Sequence, residues 1–409
     1  MKVRRITHDS WTAFVNLLPS IFDRIMDLTT LSTNLRSLRT ARRLSQSELA
    51  ETAGLSREGY RRIEEGLVEP RVDSLVRIAN ALGVKADRLV VPARRLEAVR
   101  FRAQKKMTTR EDLLANVARW LHDYAEVERL VGDEVPFRLD GLTAEHGSRD
   151  PVTLAAAARE KLGLGAHAPI RDIGGLLEDH GVKLHKPALA SEGFFGLSVG
   201  PRSGGPAVVV NCWDRISVER WIFTAAHELG HLLMHLDAYD VSQHEEDDAQ
   251  EIEANLFASH FLMPEKAFLK EWNEARGLGL VDRVFKVKRI FHVSWKSVLY
   301  RASRLAHDPA KVWPQFYAVY KRTTGKALKG IEEPDALGPD AFHSPFAAAP
   351  VARVADEPAH LVASDFAEDR LLRLVRRGVD DGVLSLSRAA SILDLDIRAM
   401  RQLAASWAE

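Results

Sequence analysis

The chain has 409 residues, 46% hydrophobic and 28% charged, the make-up of a soluble globular protein long enough for about two to four folded units. Its formal net charge is zero, which argues against a general nucleic-acid coat, and no stretch nears the ~20 uninterrupted apolar residues of a membrane span. Cys212 is its single cysteine, which excludes an intramolecular disulfide and makes the cytoplasm the expected compartment.

Residues 1–30 begin with positive charges, but Asp9, Asp23 and Asp27 interrupt them and no small-residue cleavage site follows, so this segment reads as an arm or short amphipathic helix. From Leu31 onward, apolar residues recur at helical spacing in short blocks: Leu35–Leu38, Leu44–Leu49, Tyr60–Ile63 and Leu75–Leu82. A bundle of four or five short helices is expected, with Leu49, Ala50, Ile63, Leu75 and Ile78 in its core. From Leu31 to Arg95 there are 13 Lys and Arg against 8 Asp and Glu, a net charge of +5 in a neutral chain. Basic modules meet phosphate; Glu58, Glu64 and Glu65 oppose that attraction unless they point away.

The segment LRSLRTARRLSQSELAETAGLSREGYRRIEEGLVEPRVDSLVRIANALGV resembles the phage-repressor (XRE) helix-turn-helix family over about sixty residues. The first of the paired helices would run Gln46–Ala53, Gly54 would supply the turn, and Ser56 would cap a recognition helix ending near Glu65. The resemblance implies double-stranded DNA as partner. It places Gln46 on a phosphate and Ser56, Arg57, Tyr60 and Arg61 on the exposed face of the second helix, against bases or backbone. One such module reads a half-site, so a homodimer on a pseudo-palindromic operator is expected.

Arg94 to Glu128 continues as a charged pattern with Leu113, Val117, Leu121 and Tyr124 at three- or four-residue intervals, read as a helical connector. Helices are expected over Thr153–Leu162 and Ile173–His180, then strands at GVKLHKPAL, GFFGLSVG and PAVVVN. PAVVVN is taken as an edge that could receive an extended peptide, and Cys212 beside it as a small buried apolar residue. Helices resume at Ser217–Leu236, Asp248–Leu262, Glu265–Ala275, Val281–Ile290 and Trp295–Leu305, after which the pattern weakens.

The sharpest local signal is HELGH at 227–231. Histidines at i and i+4 project from one helix face, so His227 and His231 can give two imidazole nitrogens to one tetrahedral zinc, with Glu228 beside the water that the metal acidifies. A catalytic zinc takes a third protein ligand. In EIEANLFASHFLMP the apolar face through Ala254 and Ala258 places Glu251, one turn earlier, facing inward, and Asn255 could bond the outer nitrogen of a ligating histidine. Two rivals stand beside Glu251: Glu253, and His235, which continues the i, i+4, i+8 series but lies ~12 Å of rise from His227. His244 and the run Glu245–Asp248 read as a solvated loop.

PAVVVN, SVERWIFTAAHELGHLLMH and EIEANLFASHFLMP together resemble the ImmA/IrrE metallopeptidases over roughly residues 150 to 305. The resemblance implies Zn2+ bound by His227, His231 and Glu251, Glu228 as base, and cleavage of a helix-turn-helix repressor.

Residues 322–365 are rich in Gly, Pro and Ala and read as a linker, and 366–409 return to short helices suited to packing or protein contact. The expected class is mainly α with a small β-sheet (α+β). Its parts are an arm (1–30), an all-α helix-turn-helix domain (31–93), a helical connector (94–132), a zincin-like peptidase domain (133–321), a linker (322–365) and a C-terminal helical domain (366–409). The expected function is a DNA-binding regulator with its own zinc endopeptidase. The alternative is a repressor or antitoxin whose peptidase-like domain is a sensor or docking unit.

Overall fold

A computed structural model of the chain describes residues 27–42, 44–84, 86–90, 96, 99–103, 110–147, 149–191, 193–236, 247–329, 332–334, 361 and 370–407. These divide into two compact units, one drawn from Met1–Arg95, Thr108–Glu126 and Gly378–Glu409, the other from Leu96–Met107 and Val127–Arg377. The N-terminal arm as far as residue 26, His244 to Glu246 of the expected loop, and most of the expected linker lie outside the described residues. Helices dominate, and the described strands form a single four-stranded sheet, an α+β architecture.

In the first unit, five short helices follow in order: α1 (Leu28–Ala41), α2 (Gln46–Thr52), α3 (Arg57–Glu64), α4 (Val72–Ala81) and α5 (Asp87–Val90). Side-chain caps set their starts. Ser45 and Glu48 form a capping box on α2, and Ser56 accepts from the Gly59 amide at the start of α3. Gly54, with φ 64°, turns the chain between α2 and α3 in the left-handed region where a side chain would be strained. Leu31, Leu35, Leu38, Leu49, Ile63, Leu75, Ile78 and Leu89 bury the inner faces. The unit also holds the part of α6 (Arg110–Val131) up to Glu126 and, at the C-terminus, α17 (Leu386–Ile392) and α18 (Ile397–Ser406). Arg388 at the start of α17 donates to Asp123 (2.7 Å) and Glu126 of α6.

The second unit is built on the sheet β1 (Val99–Ala103), β2 (Lys183–His185), β3 (Phe194–Val199) and β4 (Ala207–Val210), in spatial order β1-β3-β4-β2. β3 runs antiparallel to both β1 and β4, and β2 runs parallel to β4. Short helices α7 (Leu142–His146), α8 (Pro151–Lys161) and α9 (Ile173–Glu178) precede β2, and α10 (Val218–Met234) follows β4. Beyond them lie α11 (Asp248–Leu262), α12 (Glu265–Glu274), α13 (Leu280–Phe291), α14 (Trp295–Leu305), α15 (Pro309–Thr324) and the start of α16 (Arg370–Asp380).

Three expectations change. PAVVVN is no edge: β4 lies between β3 and β2 and all four residues are buried, so its unbroken run of Ala and Val marks a strand covered on both faces. The stretch from Arg94 to Glu128 is not one helix, because Val99–Ala103 pairs with β3 and the helix starts at Arg110. VRFRA alternates apolar and charged residues, a period of two that suits a strand and not a helix. The weak pattern after Leu305 is nonetheless helical in α15, which starts with Pro309 in its first turn and ends at Gly325. Phe316 of α15 stacks on Trp295, with ring centroids 5.2 Å apart. Trp295 also donates from its backbone to Glu333 and from its indole to the Glu332 carbonyl, so this piece of the expected linker is tied to the core.

Candidate metal centre and helix-turn-helix face

Ser217 caps α10, and Ile222, Ala225, Ala226, Leu229 and Leu232 seat the helix in the core, so His227, Glu228 and His231 are held fully buried. Gly230 lets α11 approach. A Cβ there would meet Phe257 Cδ1 at 2.9 Å, closer than side-chain atoms tolerate. Gly230→Ala is expected to push the two helices apart and cost about 1–3 kcal/mol, the usual penalty of overpacking; a thermal melt alongside the wild type checks it. Asp247 caps α11 by accepting from Ala249 and Gln250, which places Asp247 at the helix start and not in the expected loop, while α11 begins at Asp248 as expected. Glu251, on the first turn of α11, then faces α10.

Three groups converge. His227 Nε2 lies 2.9 Å from His231 Nε2, Glu251 Oε1 is 3.0 Å from His231 Nε2, and Glu251 Oε2 is 3.2 Å from His227 Nε2. Bonds of ~2.0–2.1 Å to a tetrahedral zinc would set such atoms roughly 3.3 Å apart, so the cluster fits the ion with small adjustment. His227, His231 and Glu251 are the group among the described residues that could hold a metal.

The outer nitrogens of the two rings settle their tautomers. Asn255 Oδ1 lies 3.0 Å from His227 Nδ1 and accepts its proton, which leaves Nε2 as a lone pair facing the cluster. Glu253 Oε2 accepts from His235 Nε2 at 2.8 Å, so His235 Nδ1 must accept from His231 Nδ1 at 2.9 Å, and His231 Nε2 is likewise left bare. Burial holds His231 well below its usual pKa and hence neutral. Two lone pairs facing each other beside a carboxylate repel unless a cation lies among them. The two rivals for third ligand, His235 and Glu253, therefore stand behind His231 as its support.

Two neighbours of Glu228 escaped the sequence reading because they come from the sheet. Ser198 Oγ donates to Glu228 Oε2 at 2.7 Å. Gly196, also on β3, admits the carboxylate: a Cβ there would meet Thr224 Cγ2 at 2.6 Å and Glu228 Oε1 at 3.3 Å. The second glycine of GFFGLSVG was the available signal. Arg100 of β1 also reaches the site, its guanidinium donating to Gln250 and to Glu251 Oε1, the latter at 3.3 Å.

On the helix-turn-helix unit, Ser56 and Arg57 are exposed at the start of α3. Arg61 is partly exposed but pairs with Glu58 and Glu65 along the same helix. Tyr60 is a correction: it is 0% exposed rather than on the outer face, because Tyr60, Ile63 and Glu64 form the inward stripe of α3. Its hydroxyl donates to Glu64 at 2.6 Å. The same carboxylate takes two bonds from Arg39 (2.7 and 2.9 Å) and one from the half-buried Gln46 (2.9 Å), so Gln46 is engaged inside the domain and Glu64 points away from any reading face. Glu64→Ala would strand the Arg39 charge, and a loss of about 3–5 kcal/mol is expected, read as faster hydrogen exchange of the α1 and α3 amides in the full chain.

Comparison with known proteins finds matches over the two segments that carry these residues. Residues 177–303 match the IrrE N-terminal-like domain family, and residues 35–89 match the helix-turn-helix family. Over 56 residues the chain is 38% identical to the SPbeta prophage-derived uncharacterized HTH-type transcriptional regulator YonR of Bacillus subtilis (strain 168), a stretch covering 14% of this chain and 52% of that protein. The chain thus spans about half the length of that relative. Residues 35–89 are accordingly a helix-turn-helix domain of the XRE type, and residues 177–303 belong to the IrrE/ImmA-like M78 peptidase family.

Proposed function

We propose that this chain is a cytoplasmic transcriptional regulator that binds double-stranded operator DNA as a homodimer and carries a zinc-dependent endopeptidase that cleaves a helix-turn-helix repressor. The observation that carries the enzymatic half is the convergence of His227, His231 and Glu251 with Glu228 buried beside them. A zinc ion held by those three side chains would supply Lewis acidity and bring the pKa of a water toward ~7. The rest is the work of the chain itself. Glu228 takes a proton from the attacking water and hands it to the leaving amine. Ser198 orients the Glu228 carboxylate, and Asn255 and the His235–Glu253 pair hold the two imidazoles in register. In the helix-turn-helix domain, Ser56 and Arg57 at the exposed start of α3 meet the DNA, with Arg61 and Gln46 able to join by exchanging a carboxylate partner for a phosphate.

The test is to incubate wild type and Glu228→Gln, each with its bound zinc measured, with the helix-turn-helix repressors encoded near this gene, and to follow cleavage by intact mass. Cutting by the wild type alone is the expected result. Zinc in both proteins with no cutting by either would turn the reading to a sensor or docking unit; absence of zinc would refute the site.

A further inference from the structure

β1, the strand Val99–Ala103, lies on β3 and reaches the candidate active site through Arg100. β3 borders that site through Ser198, which bonds Glu228, and Gly196, which admits it. One side of β3 is paired to β4; the other would be an open sheet edge, the kind of surface to which an extended peptide adds by main-chain hydrogen bonds. In this chain that seat is filled by β1, antiparallel to β3, with Arg100 across from Ser198 and Phe101 across from Leu197. Arg100 extends from this strand to Gln250 and to Glu251, the carboxylate of the metal cluster. We propose, building on the peptidase reading, that Val99–Ala103 is an internal pseudosubstrate, a strand of the chain itself that holds the substrate lane and must leave β3 before a protein segment can enter.

Several features suit a strand that leaves. β1 has only five residues, and its register with β3 shifts between Arg102 and Ala103, an irregularity in an already short ladder. It is anchored at one point by charge, Arg100 on Glu251, and at another by burial of Val99. The occupant also describes the guest: an extended segment, antiparallel to β3, with a basic side chain at the position facing Ser198 to meet Glu251. In sequence, β1 follows closely on the helix-turn-helix domain.

The closing experiment measures binding without hydrolysis. A fluorescent peptide of residues 97–105 is titrated by anisotropy into the zinc-loaded full chain carrying Glu228→Gln, with β1 intact and with Val99–Ala103 replaced by five Gly and Ser residues. A lane freed of its occupant should bind the peptide about tenfold or more tighter, because apparent affinity scales with the open fraction. Arg100→Glu, which sets a like charge against Glu251 and keeps the strand, is the variant that guards against misfolding; it should tighten binding to a lesser degree and speed hydrogen exchange of the β3 amides. Equal peptide affinity in all three proteins, or no binding to any of them, overturns the proposal. Peptide captured by the Gly/Ser chain while its Glu228-containing counterpart cuts nothing would instead count against the peptidase reading alone.

Discussion

Glu228→Gln is expected to lower the rate of repressor cleavage by about 10²- to 10⁴-fold, the range that a positioned general base contributes. The amide has the shape of the carboxylate and can keep the bond with Ser198, so this fully buried position changes proton affinity and little else. Bound zinc should be unaltered, since the groups placed to hold the ion are His227, His231 and Glu251. Initial rates of cleavage, with zinc content measured on the same samples, check both halves; a Gln variant that cuts at the wild-type rate would remove Glu228 from the chemistry.

The second large effect concerns the metal. Glu251→Ala removes one of three converging groups and the single negative charge among them, whereas Asn255→Ala leaves all three in place and only frees the His227 ring to turn. Loss of an outer hydrogen-bonding partner weakens zinc by about 10- to 100-fold in comparable sites. Asn255→Ala is expected in that range and Glu251→Ala beyond it, by competition with a chromogenic chelator. Reversal of that order would show that Glu251 serves the histidines and not the ion. The His235–Glu253 pair makes a parallel case: it acts on His231 from the far side of the ring, so its removal should resemble Asn255→Ala.

Much of this was legible in the linear chain, because it depends on contacts within one helix or between neighbouring turns. The i, i+4 spacing of His227 and His231 is a property of any helix they occupy, and the apolar residues around them demand that the helix be buried. Glu251 could be chosen over Glu253 on the same ground: two residues along α11 rotate a side chain by about 200°, away from the face that carries Glu251. The strands at 183–185, 194–199 and 207–210 stood out through β-branched and aromatic residues between Gly, Pro and Asn. Tyr60 is buried and not on the expected outer face for a related reason. Helical phase alone does not say which stripe of a short polar helix faces the core; the carboxylate of Glu64 and the guanidinium of Arg39 draw Tyr60 inward.

The sequence by itself determined the two modules, the helix that carries the paired histidines and the residue types that suit zinc, since each follows from short-range spacing and capping. Only the tertiary structure decided that β4 is central, that Ser198 and Gly196 border Glu228, that His235 backs His231 and that Val99–Ala103 lies on β3 with Arg100 at the metal cluster. Strand pairing joins segments roughly a hundred residues apart, as Val99 with Val199. No local periodicity encodes which edge such a strand will take, because that choice is made by the open hydrogen-bonding groups and charges it finds there.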